Sequence, residues 1–206
     1  MTGHRTILRS GALFGLRIMT KEHIYIIALV LLVFLVGLKW TRIAAWLYPQ
    51  KGYGLVRRDF RSNSSFSNHR GIRNNNPGNL KQTSPRQGWT GAVANPTDST
   101  FEQFEFYVYG IRAMVKLIRN KVRSGLDTPA QLIGSTQGGW APAHVDANQT
   151  DAYIEFVADE ADMNPDSIIN ISDKQQIWRL ASAMEQFENG LKIMTYQEFE
   201  DAWRLL

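Results

Sequence analysis

The chain has 206 residues, 44% of them hydrophobic and 11% aromatic, and carries a net charge of +4. That balance fits one folded domain plus accessory segments and excludes a disordered chain or a repeat protein. No cysteine is present, which excludes a disulfide framework and a zinc-thiolate site. The basic residues gather in the first 20 positions and again at Arg57, Arg58, Arg61, Arg70 and Arg73. No helix-turn-helix or metal-finger pattern accompanies them, so they read as membrane-flanking or wall-facing charge, and no nucleic-acid partner is expected.

Residues 1–23 form a basic tail, followed by a transmembrane anchor over 24–48. Ile24 to Leu38 run without a charge, and the apolar character resumes past Lys39 and Arg42 as far as Tyr48. Lys39 and Arg42 can snorkel, and Trp40, Trp46 and Tyr48 suit the headgroup layer. A cleaved signal peptide is the competing reading. The tail is long for one, and bulky Leu38-Lys39-Trp40 follows Gly37 where a small residue is needed, so an uncleaved single-pass anchor is expected. Residues 49–70 are rich in Ser, Asn, Gly and Arg without periodicity, which predicts a flexible linker. A globular domain then occupies 71–206.

That domain opens on Gly71-Ile-Arg-Asn-Asn-Asn-Pro-Gly-Asn-Leu-Lys81. Asn and Gly tolerate positive φ, and Pro77 biases Asn76 toward extended geometry, so the stretch is a tight polar loop. Two readings stand side by side: amides presented to a hydroxyl- and amide-rich ligand such as an amino sugar, or a turn whose asparagines satisfy only backbone. Trp89 to Phe106 alternates aromatics with Gly and Pro and predicts a small β or irregular lobe. Helical spacing follows. Ile111, Met114, Val115, Ile118 and Val122 share a face that ends at Gly125, and Thr128-Pro129 opens a short helix. Trp140-Ala-Pro142 sits in a loop. Thr150 is expected to cap a helix burying Tyr153, Val157, Ala158 and Ala161. Ser172 with Gln175, and Thr195 with Glu198, have the spacing of capping boxes for two more helices, the first stopping at Gly190. The fold class is mainly α (α+β).

His4, His23, His69 and His144 are scattered without ligand spacing, no G-x-S-x-G occurs, and neither a metal nor another cofactor is expected. Carboxylates remain: Asp98, Glu102 and Glu105 among the aromatics, and Glu185 and Glu188 near the end of RLASAMEQFENG. A carboxyl at a helix C-terminus faces the negative end of the dipole, and burial against Phe187 adds desolvation. Both favour the protonated form that general-acid cleavage of a glycosidic bond requires. A solvated Glu at a helix end is the alternative.

The ordered series GIRNNNPGNLK, W-x-G at Trp89–Gly91, F-x-x-F at Phe101–Phe104, YGIRAM at Tyr109–Met114, WAP at Trp140–Pro142 and N-x-T-x-x-YI at Asn148–Ile154 resembles a phage-encoded family. Its members are virion-associated peptidoglycan-degrading proteins of the lysozyme superfamily, and the resemblance spans about residues 71–190. The segment ending in F-E-N-G is also similar to the acid-bearing helix end of goose-type lysozymes and soluble lytic transglycosylases. In those enzymes the catalytic helix precedes the Asn- and Gly-rich loop, whereas Glu22 is the only glutamate upstream here. If the fold is lysozyme-like, as the resemblance implies, the acid must come from the C-terminal end, as in a circular permutation, or from the Asp98–Glu105 lobe.

The resemblance implies Glu188 as the catalytic acid, with Glu102 next. It implies Asn74, Asn75 and Asn79 as substrate ligands, Trp89 and Trp140 as sugar platforms, and Asn148 and Tyr153 as positioning groups. The implied function is a membrane-anchored lytic transglycosylase cleaving the N-acetylmuramic acid–β-1,4–N-acetylglucosamine bond. The domain would lie on the peptidoglycan side of a phage or host membrane, with glycan strands and other virion proteins as partners. The other reading is a non-catalytic virion membrane protein binding peptidoglycan or capsid partners.

Overall fold

The computed structural model describes residues 54–142 and 149–206. The expected tail, the anchor at 24–48 and Asn148 lie outside the described residues. Among the described residues no helix is long and apolar enough to cross a membrane. The described fold is one compact unit beginning at Gly54.

It is mainly helical, as the spacing predicts. A single 3-10 turn (Ser64–Phe66) precedes α1 (Arg70–Arg73), α2 (Tyr107–Arg123), α3 (Pro129–Gly134), α4 (Thr150–Glu160), α5 (Lys174–Asn189) and α6 (Tyr196–Arg204). The lobe between α1 and α2 holds two isolated antiparallel bridges, Lys81 with Phe101 and Ala92 with Phe104. Its Gly- and Pro-punctuated aromatics fold as irregular chain, without a strand ladder.

Helix α2 is the centre. Val108, Ile111, Met114, Val115 and Ile118 recur on one face and are fully buried, while Arg112, Lys116 and Arg123 are left at the periphery. Each such aliphatic side chain stabilises the fold by about 1.5–3 kcal/mol. Helix α2 packs chiefly on α6, and α4 packs on both α3 and α5. Gly110 lies at the end of the first turn of α2, where glycine costs up to about 1 kcal/mol relative to alanine. The reason is proximity: a Cβ there would overlap the Asn75 carbonyl oxygen and come within 2.9 Å of Pro77 Cδ. The asparagine loop thus lies directly on the central helix.

The helix ends follow local chemistry, with two corrections. Thr128 accepts from Gln131 N, Thr195 and Glu198 form the reciprocal box, and α5 stops at Gly190 with φ +68°. Thr150 caps nothing; it is the first residue of α4, and its hydroxyl donates to the Ala141 carbonyl at 3.0 Å. Helix α5 is capped by Asp173, whose carboxylate accepts from Gln175 N and Gln176 N, and not by Ser172. A carboxylate one residue nearer the helix is the better-placed acceptor, and it also suits the positive end of the dipole.

The linker expected over 49–70 is corrected from Gly54 onward. Val56 N donates to Asp201 at 2.9 Å, and the Arg58 guanidinium pairs with Glu198 and donates to the Ile193 carbonyl at 2.7 Å. The Arg58 carbonyl accepts from Tyr107 N at 2.8 Å. Phe60 is buried edge-on against Tyr107 and Phe66. The domain therefore begins near residue 54 and not at 71. Segment 54–61 is fastened by backbone and side-chain hydrogen bonds and one aromatic anchor, none of which produces a hydrophobic period.

Candidate functional site

A cleft of about 530 Å³ opens between the asparagine loop, the Trp140 loop and the C-terminal end of α5. Gly78, Asn79, Lys121, Trp140, Pro142 and Glu188 are among the residues lining it. Glu188 is the penultimate residue of α5 and is half-buried. Three groups from separate parts of the chain donate to its carboxylate: Asn79 Nδ2 to Oε2 at 3.0 Å, and Trp140 Nε1 and the Tyr153 hydroxyl to Oε1 at 3.1 and 3.0 Å. It is the only carboxylate among the described residues lining the cleft.

Each donor is delivered by local structure. Asn79 adopts φ +47°, and its amide also donates to the Glu188 carbonyl at 3.1 Å, satisfying one of the carbonyls left open at the end of α5. The Trp140 ring seats over Gly78, where a Cβ would lie 2.7 Å from ring atom Cζ2. Tyr153 comes from α4, is 1% exposed, and stacks at 4.0 Å on Phe187, the neighbour of Glu188 in the chain. Burial and the adjacent Glu188 push the Tyr153 phenol well above its ordinary value, so it stays a donor.

Asn189, next to Glu188, locks the helix end to the loop. Its amide donates to the Pro77 carbonyl at 2.7 Å and to the Glu185 carbonyl at 3.1 Å, while its own carbonyl accepts from His69 Nδ1 at 2.8 Å. The F-E-N-G sequence therefore supplies both a cleft carboxylate and the residue that fixes it.

Other expected site residues fall elsewhere. Asn74 is buried, donating to Asp98 at 2.8 Å and accepting from Gln103 at 3.2 Å. Asn75 is buried as well. Its oxygen accepts from Phe60 N, and its amide donates to Asp59 and to the carbonyls of Phe104 and Glu105. Their amides are committed to the fold, so the substrate-binding role expected of both is corrected to a structural one. Glu102 is fully buried, pairs with Arg86 and does not line the cleft, which removes it from the catalytic assignment. Trp89 is half-buried against the core and also lies outside the cleft lining. Asp98 staples the lobe through a bidentate pair with Arg70, both distances 2.7 Å, and accepts from the backbone of Thr100 and Phe101. The Arg70 bond, followed by those of Phe101, Asn74 and Thr100, holds its carboxyl well below the usual range against some desolvation.

No family model matches the chain. Protein P5 of Pseudoalteromonas phage PM2 is 35% identical over 133 residues, which cover 64% of this chain and 78% of that protein. The chain belongs to the protein P5 family. That relationship places it among bacteriophage proteins. Glu185 of this P5 relative is among the candidate carboxylates of the sequence but has no role assigned there, and Lys121 is not among the sequence candidates. Glu185 is buried one turn before Glu188, accepting from the Tyr107 hydroxyl and from the backbone N–H groups of Ile193 and Met194 at 3.3 and 3.0 Å. Burial outweighs these bonds and raises its carboxyl to about 7. Lys121 sits among the basic residues of α2 and nothing in its spacing distinguishes it; only the fold carries it to the cleft.

Proposed function

We propose that this P5-family protein is a phage peptidoglycan lytic transglycosylase with a lysozyme-like domain. An anchor at 24–48 would hold it on a phage or host membrane with the domain on the peptidoglycan side. The observation that carries this reading is the convergence of Asn79, Trp140 and Tyr153 on the one carboxylate among the described residues lining an open cleft. Glu188 protonates the leaving glycosidic oxygen, charge develops on the muramyl ring carbon, and Glu188 then takes the proton of the muramyl 6-hydroxyl as that oxygen bonds to the carbon. The product is a 1,6-anhydro sugar and no water is consumed. One carboxylate suffices for this route, whereas hydrolysis uses a second across the sugar. Tyr153 is the one of the three whose donating atom can itself accept, so its hydroxyl can follow Glu188 through both protonation states. Trp140 offers an aromatic ring at the cleft wall for a sugar face.

A second reading is a non-catalytic virion component, with Glu188 tying the asparagine loop, the Trp140 loop and α4 together. Two observations favour it. The relative is a phage protein whose name specifies no activity, and Glu188 accepts from donors on three separate segments, as a structural tie requires. The family relationship supports this second reading more directly than the first.

The two separate on cell-wall zymograms of the purified chain with Glu188→Gln as control. Catalysis predicts clearing by the parent, a loss on the order of a hundredfold or more in the variant, and stability within about 1 kcal/mol. Mass spectra of the products should show anhydromuramyl ends. The structural role predicts no clearing by either protein and a lowered melting temperature for the variant.

A further inference from the structure

The charge in the cleft is unevenly distributed. Glu188 stands at the end of α5, while the cations among the described lining residues are Lys81 and Lys121. Lys121 belongs to the last turn of α2, and its ammonium donates to the carbonyls of Gly138 and Gly139, the latter at 3.4 Å. Those two residues directly precede Trp140, whose indole reaches Glu188. The Gly138–Trp140 segment thus carries a half-buried cation on one flank and the cleft carboxylate on the other. An ammonium has three N–H groups, and its two acceptors here, the carbonyls of Gly138 and Gly139, are neutral, so among the described residues no carboxylate pairs with it. Desolvation lowers the Lys121 amine from its ordinary value, a penalty on the charged form that an adjacent anion would offset.

We propose that the Lys121 side of the cleft is a carboxylate subsite that selects glycan residues bearing an acid group on an N-acetylated sugar over uncharged ones. The proposal rests on the glycan-cleaving reading and adds what decides its specificity. A lactyl or stem-peptide carboxylate has this chemistry, and a uniform N-acetylglucosamine polymer lacks it. A carboxylate held by Lys121 fixes which sugar faces Glu188, so the subsite also sets the register of the strand.

The test uses the full-length chain carrying Glu188→Gln, so that bound glycan is not consumed. Its affinity is measured for a tetrasaccharide of alternating N-acetylglucosamine and N-acetylmuramic acid, with the lactyl groups either free or amidated. The free acid should bind roughly fivefold or more tightly than the amide, as expected for a partly screened ion pair. Lys121→Met should remove that preference while still binding the amide, and Lys121→Arg should restore it. Amidated stem-peptide glycans serve as a second arm, and a preference confined to peptide-bearing strands would assign the subsite to the stem and not to the lactyl group. Equal affinity for acid and amide, or a preference that survives Lys121→Met, overturns the subsite while leaving glycan binding intact. Failure to bind either tetrasaccharide overturns both the subsite and the reading beneath it.

Discussion

At the scale of single residues, two glutamates one helical turn apart have opposite surroundings. Glu188 meets the cleft and three side-chain donors, whereas Glu185 is sealed between Tyr107 and the turn leading into α6. Glu185 carries a testable signature. Its carboxyl is raised from 4.5 to about 7 chiefly by burial, so the folded protein binds that proton more tightly than the unfolded chain does. Below about pH 4.5 both states are protonated and the stabilisation is complete; it is lost as pH rises through about 7, where both are ionised. The loss is about 3 kcal/mol at most, at 1.36 kcal/mol for each pH unit of difference. Urea unfolding between pH 4.5 and 8 should show stability declining over that window, and Glu185→Gln should flatten the decline. A parent curve that is already flat would mean that Glu185 is ionised throughout. The asparagines teach a related lesson, since Asn74 and Asn75 present the same side chain as Asn79 but spend every amide on the fold.

Among the elements, the asparagine loop and α2 are made for each other at Gly110. Glycine to alanine in a helix interior ordinarily stabilises by up to about 1 kcal/mol. Here the added methyl would displace the Asn75 carbonyl and push on Pro77. Gly110→Ala should therefore lower the melting temperature, the reverse of the helix-propensity effect, and an increase would show that the loop yields. Segment 54–61 is joined to α6 through Arg58 and Glu198. The Glu198 side chain is fully buried and that of Arg58 is 35% exposed. Removing the guanidinium leaves a buried carboxylate with the Thr195 cap but no cation. Arg58→Met should cost about 2–4 kcal/mol by chemical denaturation, discounted from a fully buried pair for the exposed arginine. Trypsin should then cut at Arg57 or Arg61 faster than in the parent.

For the whole molecule, the folded unit includes residues that composition alone assigns to a linker. Phe60 fills the core beside Tyr107, and Phe60 N is held by Asn75 at 2.9 Å. A fragment of residues 54–206 should unfold in one cooperative transition. A fragment of residues 71–206 lacks the Phe60 anchor and the partner of Glu198, and should show a broadened transition or none by circular dichroism. Equal cooperativity in the two fragments would restore residues 54–70 to the status of a tether. The cleft sits where the lobe, α2, the Trp140 loop and α5 meet, so its shape depends on elements far apart in sequence.

The sequence by itself determined the helices from α2 onward, because apolar spacing, Thr128-Pro129, the Thr195–Glu198 box and Gly190 are local signals read over a few residues, whereas the single turn of α1 falls where a linker and loop are expected. It also pointed to Glu188, Asn79, Trp140 and Tyr153 through motifs near the ends of elements. Only the tertiary structure decided that these four meet, that Asn74, Asn75 and Glu102 are structural, and that residues 54–61 belong to the fold. The physical reason is that hydrogen-bond partners of a buried polar side chain are set by chain segments that pack together from a distance. Asn79 and Glu188 are 109 residues apart, and Arg58 and Glu198 are 140. An amide or a carboxylate looks the same in sequence whether it faces a ligand or a neighbouring loop; burial and partner, which tell the two apart, exist only once the chain has folded.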